Sequence, residues 1–308
     1  MEERQIGRVL NLCPGDIVEV LGEEEIRITL DKNGTLDGLS FMSEMTRYCG
    51  RRFRVLTRVD RMLVEGIGNR SVRNTVILAG VTCDGHANED CQRTCRILWK
   101  EDWLRRADAS SPNPPLETPV FLHEVAGENR FGKALLCQLL TLPNASRKLP
   151  ISFEDFFRQY IYTRNFVRAR TLKYICDVVL RANFKFERFL GRKRYGALHG
   201  KLEKTPSASW RLQPGEFVQV KSKEEIIETL DMRGRNRGLS VTDEMLKYCG
   251  GRFRVMKRVN QIVSERAKKI RKISNTVILE GVTCDGSDHL DCPRRCYCLW
   301  REIWLKRV

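Results

Sequence analysis

Tyr48-Cys49-Gly50-Arg51-Arg52-Phe53-Arg54-Val55 returns 200 positions later as Tyr248-Cys249-Gly250-Gly251-Arg252-Phe253-Arg254-Val255. Outward from this stretch the same register matches Pro14-Gly15 to Pro214-Gly215, Leu30-Asp31 to Leu230-Asp231, Gly38-Leu39-Ser40 to Gly238-Leu239-Ser240 and Glu44-Met45 to Glu244-Met245. One residue is inserted before Ser274, after which Asn74–Leu78 matches Asn275–Leu279 and Gly80–Gly85 matches Gly281–Gly286. Cys91, Cys95, Trp99, Glu101, Trp103 and Leu104 return as Cys292, Cys296, Trp300, Glu302, Trp304 and Leu305. Polar, glycine and cysteine positions held in register over such a span mark a tandem duplication. The 308-residue chain therefore divides into a first module (1–106), a middle segment (107–212) and a second module (213–308).

In the second copy Pro214-Gly215-Glu216 reads as a turn, and the alternation of Phe217, Val218 and Val220 as a strand. Ser222, with Glu225 three residues on, is placed to cap a helix whose apolar face is Ile226, Ile227 and Leu230. Asp243 to Tyr248 predicts a second short helix, stopped by Gly250. Strands follow over Phe253–Val263, Thr276–Val282 and Tyr297–Leu305, with a hairpin around 263–274 whose tip differs between copies. The expected fold class is α+β: two duplicated small, SH3-like, partly open β-barrels, each with a short helical insertion. A helical middle joins them. There, 107–117 has linker composition, and from Phe153 to Leu190 the pattern is helical. Leu172, Ile175, Val179, Phe186, Phe189 and Leu190 form one face, and Lys173, Arg181, Lys185, Arg188 and Arg192 the other, with Asp177 among them.

A hydrophobic fraction of 42% and a charged fraction of 31% belong to a globular chain. No apolar run approaches the roughly 20 residues needed to cross a bilayer. Met1-Glu2-Glu3-Arg4 does not open a signal peptide, so a cytoplasmic protein is expected. The net charge of +16 is uneven. Residues 1–106 hold 17 Lys/Arg and 17 Asp/Glu, residues 107–212 hold 18 and 9, and residues 213–308 hold 20 and 13. An anionic partner should therefore meet the middle and the second module.

Twelve cysteines without an export signal favour metal over disulfide. Cys49, Cys83, Cys91 and Cys95 recur as Cys249, Cys284, Cys292 and Cys296, with the variable hairpin absorbing the length change. Four thiolates suit a tetrahedral zinc, so two zinc ions per chain are expected. An iron–sulfur cluster takes the same ligands and is the alternative. Disulfides are disfavoured by the redox argument, and plain buried cysteine is the remaining reading. His86 and His289 fall at different positions of the same loop and are not counted as ligands. Cys13, Cys137, Cys176 and Cys298 have no partner in the duplication and read as packing residues.

The pattern Pro214-Gly215-Glu216-Phe217-Val218-Gln219-Val220, Gly251 to Val255, Leu279-Glu280-Gly281-Val282-Thr283-Cys284-Asp285-Gly286 and Leu299-Trp300-Arg301-Glu302-Ile303-Trp304-Leu305 resembles a family of uncharacterised bacterial proteins. It covers both end modules and implies a bacterial, cytosolic origin. The first module departs from it at Ala79, where the second has Glu280, so chemistry at Glu280 would belong to the second module alone.

An enzyme reading rests on the repeated carboxylates Asp84/Asp285, Glu101/Glu302 and Glu44/Glu244 beside cysteines. Against it, Asp-Gly after a strand is commonly a turn, and Glu101 and Glu302 fit the solvent face of a half-buried strand. No Ser–His–Asp set, phosphate loop or HExxH motif is present. A binding reading rests on the second hairpin tip, where Lys268, Lys269, Arg271 and Lys272 replace the nearly neutral first-copy tip. With Arg192, Lys193 and Arg194 these are the candidate anion contacts, for an anionic polymer such as DNA or RNA. A scaffold that binds other protein subunits is a further possibility. Trp99, Trp103, Trp300 and Trp304, at four-residue spacing, are expected on one face of a closing strand and buried.

Overall fold

The structure, a computed structural model, describes residues 9–107, 137–149, 198–286 and 292–308. The helical pattern over 153–190, most of the linker, Cys176, His289 and the basic run Arg192, Lys193 and Arg194 lie outside the described residues. No helix among the described residues is long and apolar enough to cross a membrane.

The first module runs through β1 (Ile17–Val20), α1 (Glu23–Arg27), β2 (Thr35–Leu36), β3 (Leu39–Ser40), β4 (Arg52–Arg58), β5 (Arg61–Val64), β6 (Gly68–Ser71), β7 (Thr75–Thr82), β8 (Arg96–Lys100) and β9 (Leu104–Arg106). After it come α2 (Gln138–Ala145) and β10 (Arg147–Lys148). The second module repeats the plan as β11 (Phe217–Val220), α3 (Lys223–Ile227), β12 (Arg235–Asn236), β13 (Leu239–Ser240), β14 (Arg252–Arg258), β15 (Gln261–Ser264), β16 (Lys269–Lys272), β17 (Thr276–Thr283), β18 (Tyr297–Arg301) and β19 (Leu305–Arg307). Each copy forms one five-stranded sheet, ordered β8-β7-β4-β1-β9 and β18-β17-β14-β11-β19. The predicted capping box is present: Glu225 N–H donates to Ser222 Oγ at 3.2 Å, and Ser222 N–H to Glu225 Oε2 at 3.0 Å.

Both outer strands of a sheet belong to nearly continuous chain. Lys100 ends β8 and Leu104 begins β9, so only three residues join the two edges. Four residue steps span at most about 14 Å, so the sheet must curl into a half-barrel. Bulges help it bend: the ladder slips between Val55 and Thr57, and again between Ile77 and Thr82, with the same slips in the second copy. Gly80 and Gly281 occupy the second bulge at φ +73 and +71, where a Cβ would be strained.

Two strands expected as single pieces are broken. The closing stretch bends at a one-turn 3-10 helix, Glu302–Trp304, because the chain must cross from one edge to the other. Phe253–Val263 divides after Arg258, where Val259 buries and the chain leaves the barrel as the β15–β16 hairpin. Glu101 and Glu302 correct the reading of a solvent face, since both are fully buried at this corner. Glu302 accepts N–H bonds from Trp210, Arg211 and Leu212 at 2.6–3.1 Å and pairs with Arg258 at 2.8 Å. Glu101 does the same for Leu10, Asn11 and Leu12, with Arg58 as its cation. Buried carboxylates are tolerated when their lone pairs are filled in this way.

All four repeated tryptophans are 0% exposed, as their pattern predicts, although they come from two elements, strand and corner. Trp304 donates to Thr229 Oγ1 at 3.0 Å, and Trp300 packs edge-on against Tyr248 and Trp304. Trp300→Ala should lower stability by roughly 3–5 kcal/mol. Chemical denaturation followed by circular dichroism checks this, as a fall in midpoint with little change in slope.

Candidate functional site

The two half-barrels hold each other through their hairpins. β15–β16 of the second module lies on the cysteine loop of the first, where Val263 N–H donates to Cys91 Sγ at 3.2 Å. Reciprocally, Leu63 N–H on β5 donates to Cys292 Sγ at 3.3 Å. Arg93 pairs with Glu65 at 2.7 Å and reaches Val263 O, while Arg294 pairs with Glu265 at 3.1 Å and reaches Leu63 O at 2.9 Å. Gln92 N–H adds a bond to Gln261 O at 3.0 Å. Val263 and Cys292 are thereby built into the core of the first module. These paired contacts are those of an isologous dimer, fused here into one chain.

The cysteine loops are set by a close approach. A Cβ on Gly85 would stand 1.8 Å from Cys91 O, and one on Gly286 2.1 Å from Cys292 O, so only glycine fits either position. The ladder then places Cys83 opposite Cys95 and Cys284 opposite Cys296, with N–H to O bonds of 2.7 and 2.8 Å. Cys91 and Cys292 are spent on the clasp, and Cys49 sits apart, beside Glu23. The four cysteines of a module thus meet as one opposed pair. Among the described residues no group of three or more His, Cys, Asp or Glu is placed to hold a metal ion. Cys137 and Cys298 are buried as packing residues, whereas Cys13, also read as a packing residue, is exposed in the turn before β1, where its N–H donates to Asp16 Oδ2 at 2.9 Å. His86 is exposed and pairs with Asp90 at 3.1 Å. Glu280 makes a surface pair with Arg254 at 3.7 Å.

Cys83, Cys95 and Cys137 line one cavity with Met42, Gln138 and Arg294, and its free space of about 20 Å³ is that of a single water molecule. Gln138 closes it by pairing with the β8 edge, accepting from Leu98 N–H and donating to Leu98 O, both at 2.9 Å. Behind the pair stands Glu44, only 3% exposed. Burial, and then the neighbouring Asp84 carboxylate, push the Glu44 carboxyl up to about 8. Burial alone would raise Asp84, but Glu44, the His86 N–H and Arg47 outweigh it and hold Asp84 at about 2. One proton therefore serves two carboxyl groups. In the second copy Glu244 instead accepts N–H bonds from Asp285 and Gly286 at 3.0 and 2.9 Å, and Asp285 pairs with Lys247 at 2.8 Å.

The thiols answer to these surroundings. Burial, then Glu44, raise Cys83 well above the ordinary thiol range. Cys296 is held well below it, by the Cys284 thiol aimed at it and by the Arg294 and Arg93 guanidiniums. Sequence reasoning passed over Arg93/Arg294 and Glu65/Glu265, which were legible as repeated charges in register; it read Cys137 as a packing residue, with no signal for its place at the cavity.

Of the predicted anion contacts, Lys268, Lys269, Arg271 and Lys272 are all exposed on the hairpin, and no carboxylate among the described residues pairs with them. The chain matches no known family model, no curated protein and no solved structure.

Glu44 sets a pH dependence. Its folded-state value is raised, so between the ordinary 4.5 and about 8 only the folded state holds this proton, and stability falls as pH rises through that window. Asp84, depressed from 3.8 to about 2, works in the opposite sense at lower pH, its stabilisation being lost as pH falls through that range. Glu44→Gln should flatten the decline between about pH 5 and about pH 9, by a few kcal/mol at the alkaline end. Denaturation midpoints of both proteins across that range provide the check.

Proposed function

We propose that the chain is a tandem binding protein that presents a cationic hairpin to an anionic polymer, nucleic acid foremost. The observation that supports it most is the contrast between the two hairpins. In the first copy β6 is covered by β10, so its hairpin becomes part of a three-stranded sheet. In the second copy β16 pairs, among the described residues, with β15 alone, and its other edge carries Lys269, Arg271 and Lys272, with Lys268 at its turn. Ile270 packs inward on the first module, which turns Lys269 and Arg271, about 6.8 Å apart, to the solvent. Elsewhere in the modules Arg52, Arg58, Arg106, Arg258 and Arg307 are matched by carboxylates. Unmatched, closely spaced cations on a rigid hairpin suit a phosphate backbone, and Arg192, Lys193 and Arg194 join them on sequence grounds.

We read each half-barrel as SH3-like, with the clasp fixing the two in one orientation. Zinc or an iron–sulfur cluster in either four-cysteine set would require Cys91 or Cys292 to leave the N–H group it accepts from, and Cys49 or its counterpart to move in beside the opposed pair.

Each phosphate contact adds about 0.9 to the slope of log affinity against log salt on duplex DNA. Changing Lys268, Lys269, Arg271 and Lys272 together to Glu should weaken binding and flatten that slope by roughly three to four units. A salt titration with labelled DNA and RNA, run on native and variant proteins, measures it. No binding by the native protein at low salt would remove nucleic acid as the partner.

A further inference from the structure

We infer that Cys284 and Cys296 form a thiol–disulfide exchange site that closes to an intramolecular disulfide by reducing a low-molecular-mass disulfide, while Cys83 and Cys95 stay reduced. The inference stands apart from the hairpin and does not depend on what that hairpin binds. Directly opposed residues of an antiparallel ladder have Cα atoms about 4.5–5.5 Å apart. A disulfide spans roughly 4.4–6.8 Å, so the ladder already holds the pair at bonding range. The Cys296 N–H donates to Cys284 Sγ at 3.1 Å, and the two sulfurs face each other. Both residues are part-exposed among the described residues.

The first module has the same opposed pair but not the same surroundings. Cys83 is buried, and its thiol turns to Glu44 rather than to Cys95. In the second module the Glu244 carboxylate is occupied by the Asp285 and Gly286 N–H groups, so Cys284 is free to face Cys296. Arg294, clamped between Glu265 and Leu63 O, stands with Arg93 near both Cys296 and Cys95, but only Cys296 also has its opposed thiol aimed at it, and positive charge there favours the attacking anion. Without the clasp neither guanidinium would be fixed there.

The exchange balances in two displacements. Cys296 sulfur attacks one sulfur of the small disulfide, forming a mixed disulfide and releasing the first thiol. Cys284 sulfur then attacks Cys296, closing the Cys284–Cys296 bond and releasing the second thiol. One S–S bond forms and one breaks, and the two protein thiol protons leave on the two product thiols.

The test uses the full chain and oxidised glutathione, followed by alkylation, digestion and mass mapping. The expected product links Cys284 to Cys296 and carries two fewer alkylatable thiols than the 12 of the reduced chain. Cys284→Ser should stop at a glutathione adduct on Cys296. Native protein in which Cys284 and Cys296 are both still alkylated, or in which Cys83 and Cys95 are linked instead, overturns the inference. So does a folded Cys284→Ser protein with no adduct at Cys296.

Discussion

Three residues join the two edge strands of each sheet, and most of the architecture follows from that short crossing. Because Lys100 and Leu104, or Arg301 and Leu305, cannot be far apart, a five-stranded sheet with those strands at its edges has to curl. The crossing point becomes a buried corner. Glu101 and Glu302 satisfy it by gathering the N–H groups of the entering chain and one arginine each, and the flanking tryptophans fill the barrel beneath.

A half-barrel of this size leaves its long hairpin projecting, with apolar residues on one face. The duplication gives each hairpin a place to go, since Val263 enters the core of the first module and the β5 strand lies on the loop of the second. Reciprocity makes the contact self-complementary. The ion pairs Arg93–Glu65 and Arg294–Glu265 sit at its centre, each also binding a carbonyl of the opposite hairpin. Removing one partner of the buried Arg294–Glu265 pair leaves a charge without compensation, whereas Glu65 of the Arg93 pair stays partly exposed.

Within this symmetric frame the two copies have diverged at definite places. Gln138 and β10 seal one edge in the first module and one side of its hairpin, while among the described residues β16 has no such cover. Glu44 is left to share a proton with Asp84, while Glu244 is taken up by backbone. The backbone pairing of the opposed cysteines is the same in both copies, so the difference in their chemistry comes from what each thiol meets.

The sequence by itself determined the duplication, the capping box at Ser222, the hairpin, the burial of the tryptophans and the exposure of its basic tip. All of these depend on local periodicity or on the register between copies, and both are written along the chain. Only the tertiary structure decided which cysteines meet. Spacing groups four per module, but the strand register opposes Cys83 to Cys95 and Cys284 to Cys296, and the exchange of hairpins takes Cys91 and Cys292 away. Glu101 and Glu302 were misplaced on the solvent face for the same kind of reason. Alternation assigns a residue to a side of a strand, but a chain that turns a corner changes which side is inside, and that turn is fixed by strands far away in sequence.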